Sequence, residues 1–196
     1  MRFWYINKSY IDFLRTNATD RIMHWDDPKY KYPKYCLGTL LKINEFNYFA
    51  PISSIKDGQL EQDNPLFLSD YFERVSFPIE VERSNNEEIV ASIKFNYMFP
   101  IHHKDLLAVN TDKFLEYGFP TGYKKFVAQQ SVFCSKHKTK IREMANNIYE
   151  KATSKIDDYD KYCLDFKLLE SNFLIWVANH QASSQKIFPV HTPKRL

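Results

Sequence analysis

Apolar positions along the chain change period part-way. In the first half they come as short runs bounded by turn residues. RFWYI at residues 2–6 predicts a first strand. Tyr10, Phe13 and Leu14 then share one face of a short helix over residues 7–14. Residues 16–35 are polar and broken by Pro28 and Pro33, which reads as an irregular loop. Apolar runs at 36–43 and 46–51 flank an Asn44-Glu45 corner and predict a hairpin, with loop from Ser53 to Pro65. Further strands fit 77–82 and 88–95 around Ser84-Asn85-Asn86, then 97–101 up to Pro100, then 106–109. After residue 120 the spacing becomes helical. Phe126, Phe133, Ile141, Met144, Ile148 and Ala152 mark one helical region. Tyr159, Tyr162, Phe166, Leu169, Phe173 and Trp176 mark a second, and residues 186–196, with Pro189 and Pro193, read as a tail. Strands first and long helices later predict an α+β fold, an antiparallel sheet with helices packed against it.

Composition adds a few bounds. The 196 residues suit one domain, 1–196, with a helical extension over about 155–185. Apolar residues make up 44% and aromatics 16%, which excludes a disordered chain. A net charge of +3 does not choose a partner, but residues 123–155 hold eight Lys/Arg against two Glu and predict a local positive field. Cys36, Cys134 and Cys163 are odd in number and scattered, against a disulfide framework or a zinc cluster. MRFWYIN is too short for a signal peptide, and no stretch reaches the length of a membrane span. The expectation is a soluble, cytoplasmic protein.

Conventional catalytic motifs are absent. There is no HExxH, Walker loop or GxGxxG. His102 and His103, read on a strand, would face opposite ways. Asp26-Asp27 precedes Pro28 and reads as a turn or cap signal. No metal or cofactor is expected. What remains lies around the first hairpin. DPKYKYPKYCLGTLL (27–41) enters it and YFAPISSIK (48–56) leaves it. Antiparallel pairing brings entry and exit to one end of the sheet, gathering Tyr30, Lys34, Ser53, Ser54 and Lys56. Hydroxyls beside lysines suit a phosphate; a solvated turn is the plainer alternative.

The order D-P-x-Y, then P-K before a strand, then Y-x-A-P-[LI]-[ST]-S-x-K resembles the ToxN/AbiQ family of type III toxin–antitoxin endoribonucleases. ASIKFNYMFPI (91–101) is similar to that family's strand ending in M-I-P-[VI], and YKKFVAQQ (123–130) to its helix start. The likeness runs over about residues 2–150. It implies a strongly curved antiparallel sheet with a Kid/MazF-like core, flanked by helices. It also implies metal-independent, sequence-specific cutting of single-stranded RNA to 2′,3′-cyclic phosphate ends. The toxin would process, and be inhibited by, a repeat-derived RNA pseudoknot antitoxin in an RNA-mediated hetero-oligomer. Free toxin would cut cellular or phage mRNA, limiting growth and aborting infection. On the family pattern Tyr30 is the loop tyrosine, Lys34 the lysine after proline, Ser53 the Thr/Ser position, Ser54 the serine and Lys56 the following lysine. Ile55 stands where proline is common.

Such cleavage needs the 2′-hydroxyl in line with the leaving 5′-oxygen and a held phosphate. Ser53 and Ser54 are assigned to the phosphate, Lys34 or Lys56 to its charge and the leaving oxygen, and Tyr30 to a base or phosphate. No general base is evident. A lysine would need a lowered pKa, and His24 and His103 stand out by composition alone. Tyr123, Lys124, Lys125, Gln129 and Gln130 fit single-stranded RNA, with lysines on phosphates and aromatics on bases. Two other readings share these residues: a non-catalytic single-stranded RNA-binding module, and a MazF-type toxin held by a protein antitoxin.

Overall fold

The computed structural model describes residues 1–22, 38–56, 58–60, 70–83, 86–109 and 121–185. Its strands are β1 (Phe3–Ile6), β2 (Gly38–Ile43), β3 (Phe46–Ser54), β4 (Ser76–Arg83), β5 (Asn86–Lys94), β6 (Phe99–Pro100) and β7 (Leu106–Ala108). They form one antiparallel sheet in the order β4-β5-β3-β2-β1-β7, with β6 also on β3. The helices are α1 (Lys8–Asn17), α2 (Asp70–Val75), α3 (Tyr123–Lys136), α4 (Lys138–Thr153), α5 (Tyr159–Tyr162) and α6 (Phe166–Gln185). Antiparallel strands followed by helices make this an α+β fold. None of the described helices is long and apolar enough to cross a membrane.

β3 organises the sheet. Its hairpin with β2 closes Ile43 onto Phe46 through Asn44 and Glu45. Asn44 sits at φ 49°, a left-handed conformation that asparagine tolerates better than most residues. On its other side β3 changes partner: Tyr48 and Phe49 pair with β6, whereas Ile52, Ser53 and Ser54 pair with β5. Pro51 falls between the two. A residue with no N–H costs little where the ladder is already interrupted. Opposite Pro51 stands Gly38. A Cβ there would lie 2.4 Å from the Phe49 ring and 2.5 Å from the Ala50 carbonyl oxygen, so only glycine lets β2 start this close to β3.

The helices hold the sheet by buried polar links as well as apolar contact. α1 starts at Asn7, whose side chain accepts from the Ser9 amide. It buries Tyr10, Ile11 and Leu14, and the Tyr10 hydroxyl donates to the Pro100 carbonyl at 2.6 Å. α6 buries Leu169 and Trp176. The Trp176 ring lies against Tyr10 and Phe13, and its Nε1 donates to the buried Asp105 carboxylate at 2.9 Å. Six residues earlier, Glu170 takes bonds from the hydroxyls of Tyr48 on β3 and Tyr149 on α4. α4 ends in a Schellman turn. The Ile156 amide bonds the Lys151 carbonyl, the Lys155 amide bonds Ala152, and Lys155 occupies the left-handed position at φ 55°.

Three local expectations are corrected, and one segment gains a helix. β3 runs on through Ser53 and Ser54, which the pattern placed in a loop, because β5 supplies a partner beyond the proline. The first C-terminal helical region breaks at His137 into α3 and α4. The second breaks at 163–165, where Leu164 donates its amide to the Asn96 carbonyl instead of continuing the helix. The sequence reading assigned nothing to 70–75, which forms α2.

Candidate active site

Residue alternation along β3 decides what the two serines can do. Ser53 pairs with Ser92, and Ser54 with Ala91. Neighbouring strand residues point to opposite faces, whereas directly paired residues share one. Ser53 therefore joins Ser92 and Pro78 on one face, continued by Lys94 and Ser76. Ser54 lies with Ala91 and Ile79 on the other face. That second face is covered by the α3–α4 corner, where Phe133 and His137 pack on Phe77. The first is covered by α2, whose Phe72 ring centroid is 4.8 Å from the Lys94 ammonium. The two hydroxyls thus straddle the sheet at the point where β3 ends.

The face with Ser53 carries the unusual chemistry. Lys94 is 8% exposed, and its ammonium lies 3.5 Å from Ser76 Oγ. Among the described residues it meets no carboxylate. Burial lowers its pKa to about 8, and the nearby Lys56 charge adds to the shift. Beside it, Ser92 Oγ is buried without a hydrogen-bond partner. The Ser53 hydroxyl is half-buried and makes only a 3.3 Å bond to the Ser54 carbonyl. The Ile55 amide still bonds Val90, after which the chain turns. There the Lys56 amide donates to Gln59 Oε1 at 3.0 Å. Two lysines and two hydroxyls with spare bonding capacity meet here, with no acidic partner among the described residues, a set suited to an anion.

Of the residues chosen from the sequence, Ser53, Ser54 and Lys56 lie together at this end of β3. Tyr30 and Lys34, with Asp26, Asp27, His24 and Cys36, lie outside the described residues. The Gly38–Pro51 register does bring the chain into β2 at this same end. His103 is ruled out as a partner of the serines. Ile101 bonds Asn47 at the far end of β3, six residues or about 20 Å from Ser53. His102 and His103 are not on a strand: their rings lie 4.1 Å apart in a 3₁₀ turn. Among the described residues no three His, Cys, Asp or Glu gather as metal ligands. Ser92 and Lys94 were missed. A lysine in a strand reads as solvent-facing, and the usable signal was the S-x-K step, which keeps both on one face.

The predicted RNA helix is α3. Lys124 and Lys125 are exposed, Gln129 is half-buried, and Tyr123 is covered enough to raise its pKa. Gln130 is 3% exposed, so its side chain packs inward and does not reach an RNA base. Lys125, Gln129 and Lys136 line an open groove of about 420 Å³ against β4 and β5. Glu80, Glu82 and Glu87 form its other wall, which the count of basic residues along the helix alone did not register. The positive field of α3 is therefore partly offset on this side.

Residues 2–173 match the family model described as toxin ToxN, type III toxin–antitoxin system. The chain is 26% identical to the endoribonuclease AbiQ of Lactococcus lactis subsp. lactis over 177 residues, 90% of this chain and 89% of AbiQ. It is 36% identical to the endoribonuclease ToxN of Pectobacterium atrosepticum over 56 residues, 29% of this chain and 32% of ToxN. The solved structure of AbiQ, a lactococcal anti-phage endoribonuclease, superimposes with a TM-score of 0.67 at 24% identity, covering 90% of this chain and 98% of AbiQ. A type III toxin selectively inhibited by a non-coding RNA pseudoknot superimposes with a TM-score of 0.66 at 21% identity, covering 90% and 97%.

Proposed function

Because the chain belongs to the ToxN toxin family of type III toxin–antitoxin systems, we propose that it is an endoribonuclease toxin restrained by a non-coding RNA. Free, it cuts single-stranded cellular or phage mRNA at a preferred sequence, arresting growth and aborting infection. A repeat-derived pseudoknot RNA is both its product and its inhibitor, and the two assemble in the cytoplasm. The observation that carries this reading is the family match over residues 2–173. The anion-suited end of β3, where Ser53, Ser54 and Lys56 meet, supports it. Strand order is read as a strongly curved sheet of Kid/MazF type. The whole of 1–196 is read as one toxin domain, its core extended by α6 through Glu170 and Trp176.

The chemistry is cyclising and needs no metal. The 2′-oxygen attacks the adjacent phosphorus, the bond to the 5′-oxygen breaks, and a 2′,3′-cyclic phosphate and a 5′-hydroxyl remain. Ser53 donates to a non-bridging oxygen from one side of the strand end, and Ser54 bonds the backbone passing over the other. Lys34 and Lys56 offset the charge that builds on the phosphorane, a role in which fixed donors contribute several kcal/mol, on the order of 3 each. Tyr30 stacks on a base or bonds a phosphate. Lys124, Lys125 and Gln129 hold the flanking strand, with Tyr123 beneath them.

The test is purified protein with total bacterial RNA in excess EDTA. New 5′-hydroxyl ends and cyclic 3′ termini are expected, and Ser53→Ala should lose cutting while keeping RNA affinity. Cleavage that disappears on chelation would sink the reading.

A further inference from the structure

We propose that Lys94 is a catalytic residue of this site, the amine that takes the proton from the attacking 2′-hydroxyl. The inference rests on the endoribonuclease reading and names the base that reading lacks.

The placement comes from the ladder. Lys94 is two residues from Ser92, and Ser92 is the direct partner of Ser53. All three share one face. The ammonium rests over Ser76 of β4, across β5 from Ser53, and the four-carbon side chain swings back over Ser92 to meet a phosphate held by Ser53. Its surroundings fit a group that works as a free amine. Ser76 gives only one long 3.5 Å contact; the Phe72 face favours the ammonium, and burial outweighs it. Lys56 adds a second positive charge, which disfavours a proton on Lys94. The elements beside it carry other ionisable groups, Asp70, Tyr71, Glu73 and Arg74 on α2 and Tyr97 after β5. None of them acts on Lys94 appreciably; burial and Lys56 account for the shift. The carboxylates of β4 and β5 lie towards the far end of their hairpin.

A lysine with a pKa of about 8 is roughly a quarter neutral at pH 7.5, against about one part in a thousand for an unperturbed lysine. That neutral fraction is what a general base needs. The proton balance closes without a co-reactant. The amine removes the 2′-hydroxyl proton as the new P–O bond forms. The bond to the 5′-oxygen breaks, and that oxygen takes a proton from Lys56. Solvent exchange then resets both amines.

The experiment is the pH dependence of kcat/KM on a short RNA carrying the preferred cleavage site, with EDTA present. For the wild type, log kcat/KM should rise with unit slope and bend near pH 8. Lys94→Met should lower kcat/KM at pH 7.5 roughly 10²–10⁴-fold and lose that limb. It should still bind the same RNA with a 2′-deoxy cleavage site within threefold of wild type. Lys94→Arg, a permanent cation, should be equally impaired. Small primary amines added to Lys94→Ala should restore cutting in order of their basicity. Wild-type activity retained by Lys94→Arg, or the limb near pH 8 surviving in Lys94→Met, overturns the proposal. Should neither variant fold, a wild-type profile without a bend near pH 8 overturns it alone. Absence of cutting by the wild type would instead refute the endoribonuclease reading.

Discussion

Replacing Tyr48 by Phe tests how β3 is held from behind. The Tyr48 hydroxyl donates to Glu170 Oε1 at 2.8 Å, and Tyr149 donates to the same oxygen at 2.7 Å. Lys167 donates to Oε2 at 2.9 Å and to the Tyr149 hydroxyl at 2.7 Å. Tyr48 is 0% exposed and Glu170 is 7% exposed, so water does not easily replace a missing donor. Phe keeps the edge-on contacts of ring 48 with Tyr149 and Phe166 and removes only the hydroxyl. A hydrogen bond to a buried charge contributes about 1.5–3 kcal/mol, so a loss of about 2 kcal/mol is expected. For a chain of this size that lowers Tm by about 4–8 °C. Adding Tyr149→Phe should cost more than the two single changes summed, because Oε1 then has no donor. The pH dependence carries a sign. Burial first, then the bond to Glu170, raises the Tyr48 pKa well above its usual value. The unfolded phenol still ionises near pH 10, so wild-type stability falls above that pH. At pH 11 the gap between wild type and Tyr48→Phe should shrink by about 1.4 kcal/mol. Urea unfolding at pH 7.5 and pH 11 measures both. A loss under about 0.5 kcal/mol at pH 7.5 would refute the dry network.

Three further outcomes are expected. Gly38→Ala forces a methyl into the Phe49 ring and the Ala50 carbonyl, so unfolding experiments should show a loss of about 1–3 kcal/mol. Lys155→Gly relieves the left-handed turn after α4 and should raise stability by about 0.5–1 kcal/mol, read as a higher urea midpoint. Burial pushes the Cys134 and Cys163 thiols up to about 12, so in a Cys36→Ser background iodoacetamide at pH 8 should label the protein only in denaturant.

Local pattern predicted what short-range chemistry controls. The apolar runs at 36–43 and 46–51 and the Asn44-Glu45 corner are enough for the β2–β3 hairpin, and most strands fall within two residues of expectation. What escaped depends on partners distant in sequence. Pro51 reads as a strand end, and only the arrival of β5 on that edge carries the strand through Ser54. The breaks at His137 and at 163–165 leave the apolar spacing intact, so periodicity passes over them. The hydroxyl–lysine cluster was legible as residue types following a proline. Its two-sided geometry was not, because the face of each serine depends on how far the strand runs. Lys94 and Ser92 lay hidden for the same reason: their burial is produced by α2 and by pairing with β3, neither of which the S-x-K step reveals.

The link from Tyr48 to Glu170 spans 122 residues of sequence. A ribosome delivers the hairpin bearing the serines first, β5 with its amine about forty residues later, and the brace on β3 about seventy-five residues after that. Nascent chains short of α6 therefore carry Ser53 and Ser54 on a strand paired with its neighbours but lacking the polar brace behind it.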